Sequence, residues 1–439
     1  MIFPLVLIGK LIYFISNTFN LGSGGTWPGE VALYFQPKIL DYFFSQVKKG
    51  IILIAGTNGK TTTARMLRQI LTQFDKGHYR VIHNDSGANL LNGLVSAFIQ
   101  QSSWIGKIDT DWAILEVDEN TLSLVISNLK PQTSNKQKVI VVLLNLFRDQ
   151  LDRYGEIDVI AGKWSKALKK LPKDAKIVLN ADDPLIAHLG MTSRPGLKAG
   201  VYYFGIDDTK SFLPEMEHAT DSIFCLSCGN RLSFEGIYYS HLGIWRCEKC
   251  GEKRPEPDIS KWSSPLPGLY NQYNTLATVI VAKSLGINDK QIKEALSDFS
   301  PAFGRQEEFV VNSKKIKIFL SKNPAGFNES LKTVLSLRAR QLLFVLNDYI
   351  PDGRDVSWIW DVDFEMIPSN VKVIASGERA FDMGLRIKYS MKQLRVIQNL
   401  KEAIYSGLEA IKKGETLYVL PTYSAMLEVR KILKGRKIL

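Results

Sequence analysis

The run "GTNGKTTT", residues 56–63, follows a short apolar stretch at 51–55 and precedes a segment in which Met66, Leu67, Ile70, Leu71 and Phe74 recur at helical spacing. A strand, a glycine turn and a helix aim backbone N–H groups and a helix dipole at one point, so the expected ligand is a phosphate. In this reading Gly56, Thr57, Asn58 and Gly59 form the turn, Lys60 reaches the β- and γ-phosphates, and the hydroxyl of Thr61 or Thr62 holds Mg²⁺. The spacing G-x-x-G-K-T is two residues shorter than the common phosphate loop. Glu116 closes the apolar run "WAILEV" at the sheet edge where open α/β folds bind ligands. A carboxylate there completes a magnesium site beside Thr61, with Asp118 and Glu119 as rivals.

The four cysteines of the chain, Cys225, Cys228, Cys247 and Cys250, are spaced C-x2-C-x18-C-x2-C. Four thiolates at this spacing close a tetrahedral, structural Zn²⁺ site with no open position. Gly229 and Gly251 permit the tight turns whose amides face the thiolates, and Phe224, Tyr238, Tyr239 and Trp245 are candidates for a small core. Two disulfides are the alternative, disfavoured in a cytoplasmic chain.

Two acidic stretches remain. "NLFRDQLDRYGE" (145–156) follows a buried strand, and its Asn145, Arg148, Asp149 and Asp152 either position substrate or cap a helix. "DGRDVSWIWDVDFE" (352–365) sets four aspartates and a glutamate around two tryptophans, with none of the five histidines near it in sequence.

The elements that position these groups alternate. Buried apolar runs at 51–55, 112–117, 138–145 and 176–180, with helical stretches between them, predict a parallel, doubly wound α/β sheet. After residue 305 the alternation restarts. The expected organisation is an amphipathic helix and lead-in at 1–45, a central nucleotide-binding domain at 46–305 interrupted by a zinc ribbon at 222–258, and a smaller C-terminal α/β domain at 306–439. The opening apolar segment lacks the basic start and cleavage site of a signal peptide, and Pro4, Gly9, Lys10, Ser16 and Asn17 break it as a membrane span. It reads as a helix that docks on the protein's own body or lies in a membrane interface. A cytoplasmic chain, touching the inner membrane face, is expected. Of 439 residues, 45% are hydrophobic, which is globular, and the formal net charge of +12 suits nucleic acid, anionic lipid, a phosphorylated substrate or general solubility alike, so charge alone does not choose.

The motifs "GTNGKTTT", Glu116, "NLFRDQLDRYGE", "NADD" (180–183), "LYNQYNTLA" (269–277) and "FGRQE" (303–307) together resemble the Mur ligase family, in family order. The resemblance implies a Mur ligase-like central P-loop domain and a nucleotide clamped between it and a C-terminal domain. It implies ATP-driven formation of an acyl phosphate and amine attack to give an amide, with Asn271 touching the adenine and Arg305 the phosphates. Gln150 and Tyr154 stand where the family often has histidines, and the family's carbamylated lysine has no sure counterpart, although Lys163 and Lys166 are nearby.

The zinc insertion and "KNPAGFNESL", "LNDYIPDGRDVSWIWDVDFE", "SGERAFDMGLRIKY" and "LPTYSAML" resemble one branch of that family, the synthetase subunits that amidate the D-glutamate α-carboxylate of lipid II. That resemblance implies ammonia as the nucleophile and a GatD-like class I glutaminase as its source. It assigns Asp355, ahead of Asp352 and Asp361, as the acid that orients the partner's catalytic histidine. An ordinary Mur-type amino-acid ligase is the rival within the class, separated by whether ammonium or an amino acid supports turnover. A zinc-ribbon ATPase that binds nucleic acid is the rival outside it. The ribbon lacks a dense basic–aromatic stripe, so no nucleic-acid partner is expected. The loop "NDSGANLLNG" (84–93) is a candidate for the stem-peptide pocket or a capping loop.

Overall fold

A computed structural model describes the chain apart from residues 1, 20–24, 75–78, 86, 130–136, 150–156, 194–199, 302–303, 391–392 and 435–439. Two six-stranded sheets organise it. The first runs in the order β2-β3-β1-β4-β5-β6, with strands β1 (Gly50–Ala55), β2 (Val81–His83), β3 (Trp112–Glu116), β4 (Lys138–Leu143), β5 (Lys176–Asn180) and β6 (Val201–Phe204). Every pairing in it is parallel. Such a sheet needs cover on both faces, and β1 and β3 are accordingly buried throughout.

The alternation along β1 sorts its side chains between two cores. Ile51, Leu53 and Ala55 face one cluster, and Ile52 and Ile54 the other. The first core is covered by α1 (Ile2–Thr18), α2 (Trp27–Phe35), α3 (Ile39–Phe44), α5 (Leu91–Gln101), α6 (Leu122–Ser127), α7 (Ile157–Leu168) and α8 (Pro184–Ser193). The second is covered by α4 (Lys60–Gln73), α9 (Leu269–Ser284) and α10 (Asp289–Ser297).

The β7–β8 hairpin (Ser233–Tyr239, Leu242–Arg246) carries the cysteine-bearing turns at its base. The second sheet runs β13-β12-β11-β14-β10-β9. It comprises β9 (Arg305–Val311), β10 (Lys314–Phe319), β11 (Gln341–Val345), β12 (Lys372–Ser376), β13 (Leu394–Val396) and β14 (Thr416–Pro421). It is parallel except for β9, which pairs antiparallel with β10 at one edge. Helices α11 (Pro324–Ser336) and α12 (Ala380–Lys388) cover one face, and α13 (Leu400–Glu409) and α14 (Tyr423–Lys434) the other.

The opening helix docks by one side only. Leu5 and Val6 are buried, and Gly9 sits so close to Ile99 of α5 that a Cβ would lie 3.0 Å from it. Among the described residues no helix is long and apolar enough to cross a membrane.

Candidate active site

The phosphate loop stands at the C-terminal end of β1, flanked by the ends of β3 and β4. Gly56 and Gly59 adopt φ of +140° and +93°, backbone that only glycine takes without strain. Gly59 also has no room for a side chain, since a Cβ would lie 2.1 Å from Asn274 Oδ1. The loop is braced by Asn145, whose Oδ1 accepts from Asn58 N (2.8 Å) and whose Nδ2 donates to Asn58 O (3.1 Å). The side chain of Thr57 donates to Phe147 O at 3.1 Å. Asn145 therefore holds the loop and caps no helix.

Lys60 is buried at the start of α4, its Nζ against the loop carbonyl of Gly56 and 3.3 Å from Glu119 Oε1. Thr61 Oγ1 donates to Glu116 Oε2 at 2.6 Å. A hydroxyl and a carboxylate brought together at a phosphate loop are the hard oxygen donors that Mg²⁺ takes, so the residues present fit that ion. Of the rivals to Glu116, Glu119 pairs with Lys60, and Asp118 Oδ1 accepts from Asn120 N at 3.1 Å.

His83, at the end of β2, completes this cluster and has no counterpart in the sequence expectations. Its Nε2 donates to Glu116 Oε1 (3.2 Å) and its Nδ1 to Asp85 Oδ1 (2.6 Å). Burial works to lower its pKa, but the two carboxylates outweigh burial and push it up to about 9. Glu116 is held below its usual range despite complete burial, chiefly by His83 and then by Thr61. The available signal was a polar residue ending an apolar run on the same sheet edge as Glu116. Asn84, from the loop proposed for the stem peptide, is spent on Glu116 itself, donating to its carbonyl and accepting from its N–H, each at 3.0 Å.

The cleft beyond the loop lies between the two sheets. Asn58, Gly59, Thr62, Asn271, Arg305 and Glu329 all line it. Asn271 lies in the first turn of α9 and Arg305 opens β9, so the two residues assigned by resemblance reach the cleft from different bodies. Burial holds the Arg305 guanidinium below its ordinary value, with Glu116 working against that effect. Asn323, the N-cap of α11, reaches across the divide: its Nδ2 donates to Asn58 Oδ1 (3.1 Å), and its Oδ1 accepts from Asn58 Nδ2 (3.3 Å). Burial pushes Glu329 up to about 7, with Lys332 opposing the shift from 2.7 Å.

Residues 150–156, with Gln150, Asp152 and Tyr154, lie outside the described residues. Arg148 pairs with Asp221 and, at 3.3 Å, with Asp361, while Asp149 pairs with Lys322 of the second sheet's body. Lys163 is exposed and donates to Asn120 Oδ1 at 2.9 Å.

The four cysteine sulfurs lie within 4.8 Å of one another, with Cys225–Cys250 and Cys228–Cys247 both at 3.5 Å. Tetrahedral Zn–S bonds of about 2.3 Å imply sulfur separations of roughly 3.8 Å, so the donors fit a metal. All four thiols are free. Gly229 N and Gly251 N donate to Cys225 O (2.8 Å) and Cys247 O (3.0 Å), closing the two turns at positive φ. Amides of Cys250 and Lys249 pull the Cys247 thiol down to about 7, while burial pushes Cys225 up to about 12.

The expected core of this module needs correction. Trp245 fills it with Leu232, but Phe224 is 55% exposed, and Tyr238 and Tyr239 are buried in the second core of the main sheet. The hairpin is long enough to carry its tyrosines past the cysteines into the larger apolar volume. The module grips the main body through Trp245 Nε1, which donates to Ala181 O (3.0 Å), and Arg254, which pairs with Asp182 (2.7 Å).

The acids of 352–365 separate by partner. Asp352 is buried and accepts from Ser424 N (2.9 Å), Asp361 meets Arg148, Asp363 meets His218, and Glu365 pairs with Arg386 (2.8 Å). Asp355 is exposed, held by Ser357 N (2.8 Å), at the mouth of a second cleft lined by Arg148, Lys322, Asn323 and Trp358. Trp360 is half exposed, with Tyr389 5.8 Å away and the Arg386 guanidinium over its ring.

A nucleotide-binding parallel sheet joined across a cleft to a second α/β body defines a Mur-type, ATP-dependent ligase. Residues 54–282 match the Mur ligase middle domain, and residues 320–426 match the MurT ligase C-terminal domain. Among solved structures, the fold is similar to a pseudomurein peptide ligase type C from Methanothermus fervidus. That match has a TM-score of 0.67 and 23% identity, covering 90% of this chain and 81% of the other. MurF from Acinetobacter baumannii gives 0.62 and 15% identity, covering 91% and 78%.

Two relatives are named lipid II isoglutaminyl synthase (glutamine-hydrolyzing) subunit MurT. The Streptococcus pneumoniae protein is 32% identical, covering 99% of this chain and 97% of its own length. The Staphylococcus aureus protein is 33% identical, covering 92% of both. The chain belongs to the MurT family of Mur ligases.

Proposed function

We propose that this chain is the synthetase subunit of a lipid II isoglutaminyl synthase, converting the α-carboxylate of the stem-peptide D-glutamate to an amide. The observation that carries the reading is a cleft between the two bodies lined by Asn58, Gly59 and Thr62 of the phosphate loop together with Asn271 and Arg305, next to the Thr61–Glu116 pair. A carboxylate is a poor electrophile. Its oxygen attacks the γ-phosphorus of ATP and ADP leaves, giving an acyl phosphate. The nitrogen lone pair of ammonia then adds to the acyl carbon, the C–O bond to phosphate breaks, and the nitrogen sheds a proton.

Lys60 and Arg305 would neutralise charge on the transferring phosphoryl group. Thr61 and Glu116 would hold Mg²⁺, which when bound neutralises phosphate charge and orients the oxygens. His83 keeps Glu116 ionised and fixed. The four thiolates would hold a structural Zn²⁺ that braces the strand end carrying "NADD".

Ammonia would come from a GatD-like glutaminase, whose nucleophile and histidine are on the other protein. Asp355 is the acid proposed to complete its triad, because it is exposed and, unlike the likewise exposed Glu365 that pairs with Arg386, has no basic partner among the described residues. Exposed Phe381, Leu385 and Tyr389 recur at i, i+4 and i+8 beside Trp360 and suit the docking face.

The test is product mass on lipid II with ATP and Mg²⁺. Ammonium alone should give the amide, and glutamine should do so only with the glutaminase present. Turnover supported by an amino acid and not by ammonium would return the chain to the ordinary Mur ligases.

A further inference from the structure

Helix α1 has two apolar sides, and the body covers one. Leu5, Val6 and Gly9 face α2 and α5, while Phe3, Leu7, Leu11 and Phe14 point outward at 43–66% exposure. At 100° per residue these four fall within an arc of about 80°, a continuous ridge. Trp104, 65% exposed, stands under Lys10 at the edge of the ridge, and Trp27, 71% exposed, opens the helix that packs on α1. Trp27 precedes Pro28, which packs on Gly9, and Trp104 lies 5.5 Å beneath the Lys10 ammonium.

The charges choose the occupant. No acidic residue occurs in 1–29, Lys10 stands at the edge of the ridge, and exposed Lys107 follows Gly106, which packs on Val6 and Ile2 of the helix. A second copy docked face to face would set lysines against lysines, whereas anionic headgroups complement them. The helix spans 17 residues, about 26 Å at 1.5 Å per residue, too short for the roughly 30 Å bilayer core. An exposed apolar ridge edged by a lysine and a tryptophan, with a second of each exposed on adjoining segments, suits a helix lying in the interface plane.

We propose that the outer face of α1, with Trp27 and Trp104, seats this chain on the surface of an anionic lipid bilayer. The seat is tied to the active site through α5. Gly29 N donates to Ser96 Oγ (2.8 Å), and Asn92 donates to Glu30 (2.7 Å) on the first turns of α5. The loop before α5 carries Asn84, which fixes Glu116. The contact thus reaches the edge where, on the proposed function, a lipid-linked substrate would arrive.

The experiment is co-sedimentation of the full chain with vesicles lacking lipid II, either phosphatidylcholine alone or mixed equally with phosphatidylglycerol. The wild type should sediment with the mixed vesicles and less with the neutral ones. The double variant Leu11→Gln/Phe14→Gln should lose vesicle binding by roughly a hundredfold, because two large apolar side chains no longer leave water. Its melting temperature, and its ammonium-driven amidation of a soluble, lipid-free muropeptide, should match wild type.

Wild type remaining in the supernatant with mixed vesicles would overturn the proposal. So would a lipid-free dimer that the double variant dissolves, which would give the face to a second copy. Failure of the wild type to amidate the soluble substrate would strike the proposed function and leave the vesicle result standing.

Discussion

Gly59 closes the phosphate loop at φ +93°, and two separate penalties bear on any side chain there. The left-handed backbone alone costs an L-residue about 1–2 kcal/mol. A Cβ would also lie 2.1 Å from Asn274 Oδ1 and 3.2 Å from Leu144 Cδ1. Asn274 is buried and donates to Asn271 Oδ1 at 3.3 Å, so swinging it aside disturbs the residue assigned to the adenine. Overpacking of this kind adds about 1–3 kcal/mol. Gly59→Ala should therefore lose about 2–5 kcal/mol of stability or loop preorganisation, with at least tenfold weaker ADP binding.

Gly87 supplies the control: its φ is +73°, and nothing lies within 4 Å of its Cβ position. Gly87→Ala should lose only the backbone part, about 1–2 kcal/mol. Denaturant unfolding and titration with fluorescent ADP read both quantities. Adding Asn274→Ala to Gly59→Ala should recover part of the stability. Equal losses for the two alanine variants, with ADP binding intact in both, would refute the steric reasoning.

Other expectations follow from the same geometry. Asp355→Asn should abolish glutamine-driven amidation by the complex and spare ammonium-driven amidation; equal loss of both would move Asp355 into the synthetase site or into folding. The purified chain should carry one equivalent of zinc by metal analysis, and Cys250→Ser or prolonged chelation should remove it and lower the melting temperature. Four titratable thiols and no metal in the wild type would defeat that assignment. Glu307 accepts from Arg430 Nε (2.7 Å), and Lys434 Nζ lies 3.1 Å away. Burial works to raise its carboxyl, but Arg430, the Gly304 N–H and Lys434 hold it below the usual glutamate range. Its contribution is therefore present above that range and lost as pH falls through the lowered value. Glu307→Gln should destabilise by about 1–3 kcal/mol at neutral pH, and the gap to wild type should close in acid. A gap that is flat down to low pH would show that the ionised carboxylate is not the source of the difference.

Much of the site was legible because its chemistry is local. Residues 56–63 form a phosphate loop because two glycines, a lysine and a threonine stand at fixed offsets between an apolar strand and a helix. The cysteine turns are legible for the same reason, since two residues between thiols set the reach to one metal. The four longest buried strands of the first sheet followed from uninterrupted apolar runs, whereas β2, β6 and β13, of three or four residues, are too short to leave such a run.

Tertiary structure alone decided the rest. His83 meets Glu116 across 33 residues, and Asn323 meets Asn58 across 265. No spacing rule reaches so far; only strand order and the approach of the second sheet bring such side chains within hydrogen-bond distance. Tyr238 and Tyr239 sit beside the cysteines in sequence but are buried in the main sheet's core, because the larger apolar volume lies there. Five acids that read alike between 352 and 365 became four with structural partners and one exposed carboxylate with no basic partner among the described residues, Asp355. The sequence by itself determined which groups could do chemistry. Packing determined which of them were left free to do it, because a carboxylate buried against a serine or paired with an arginine is already committed.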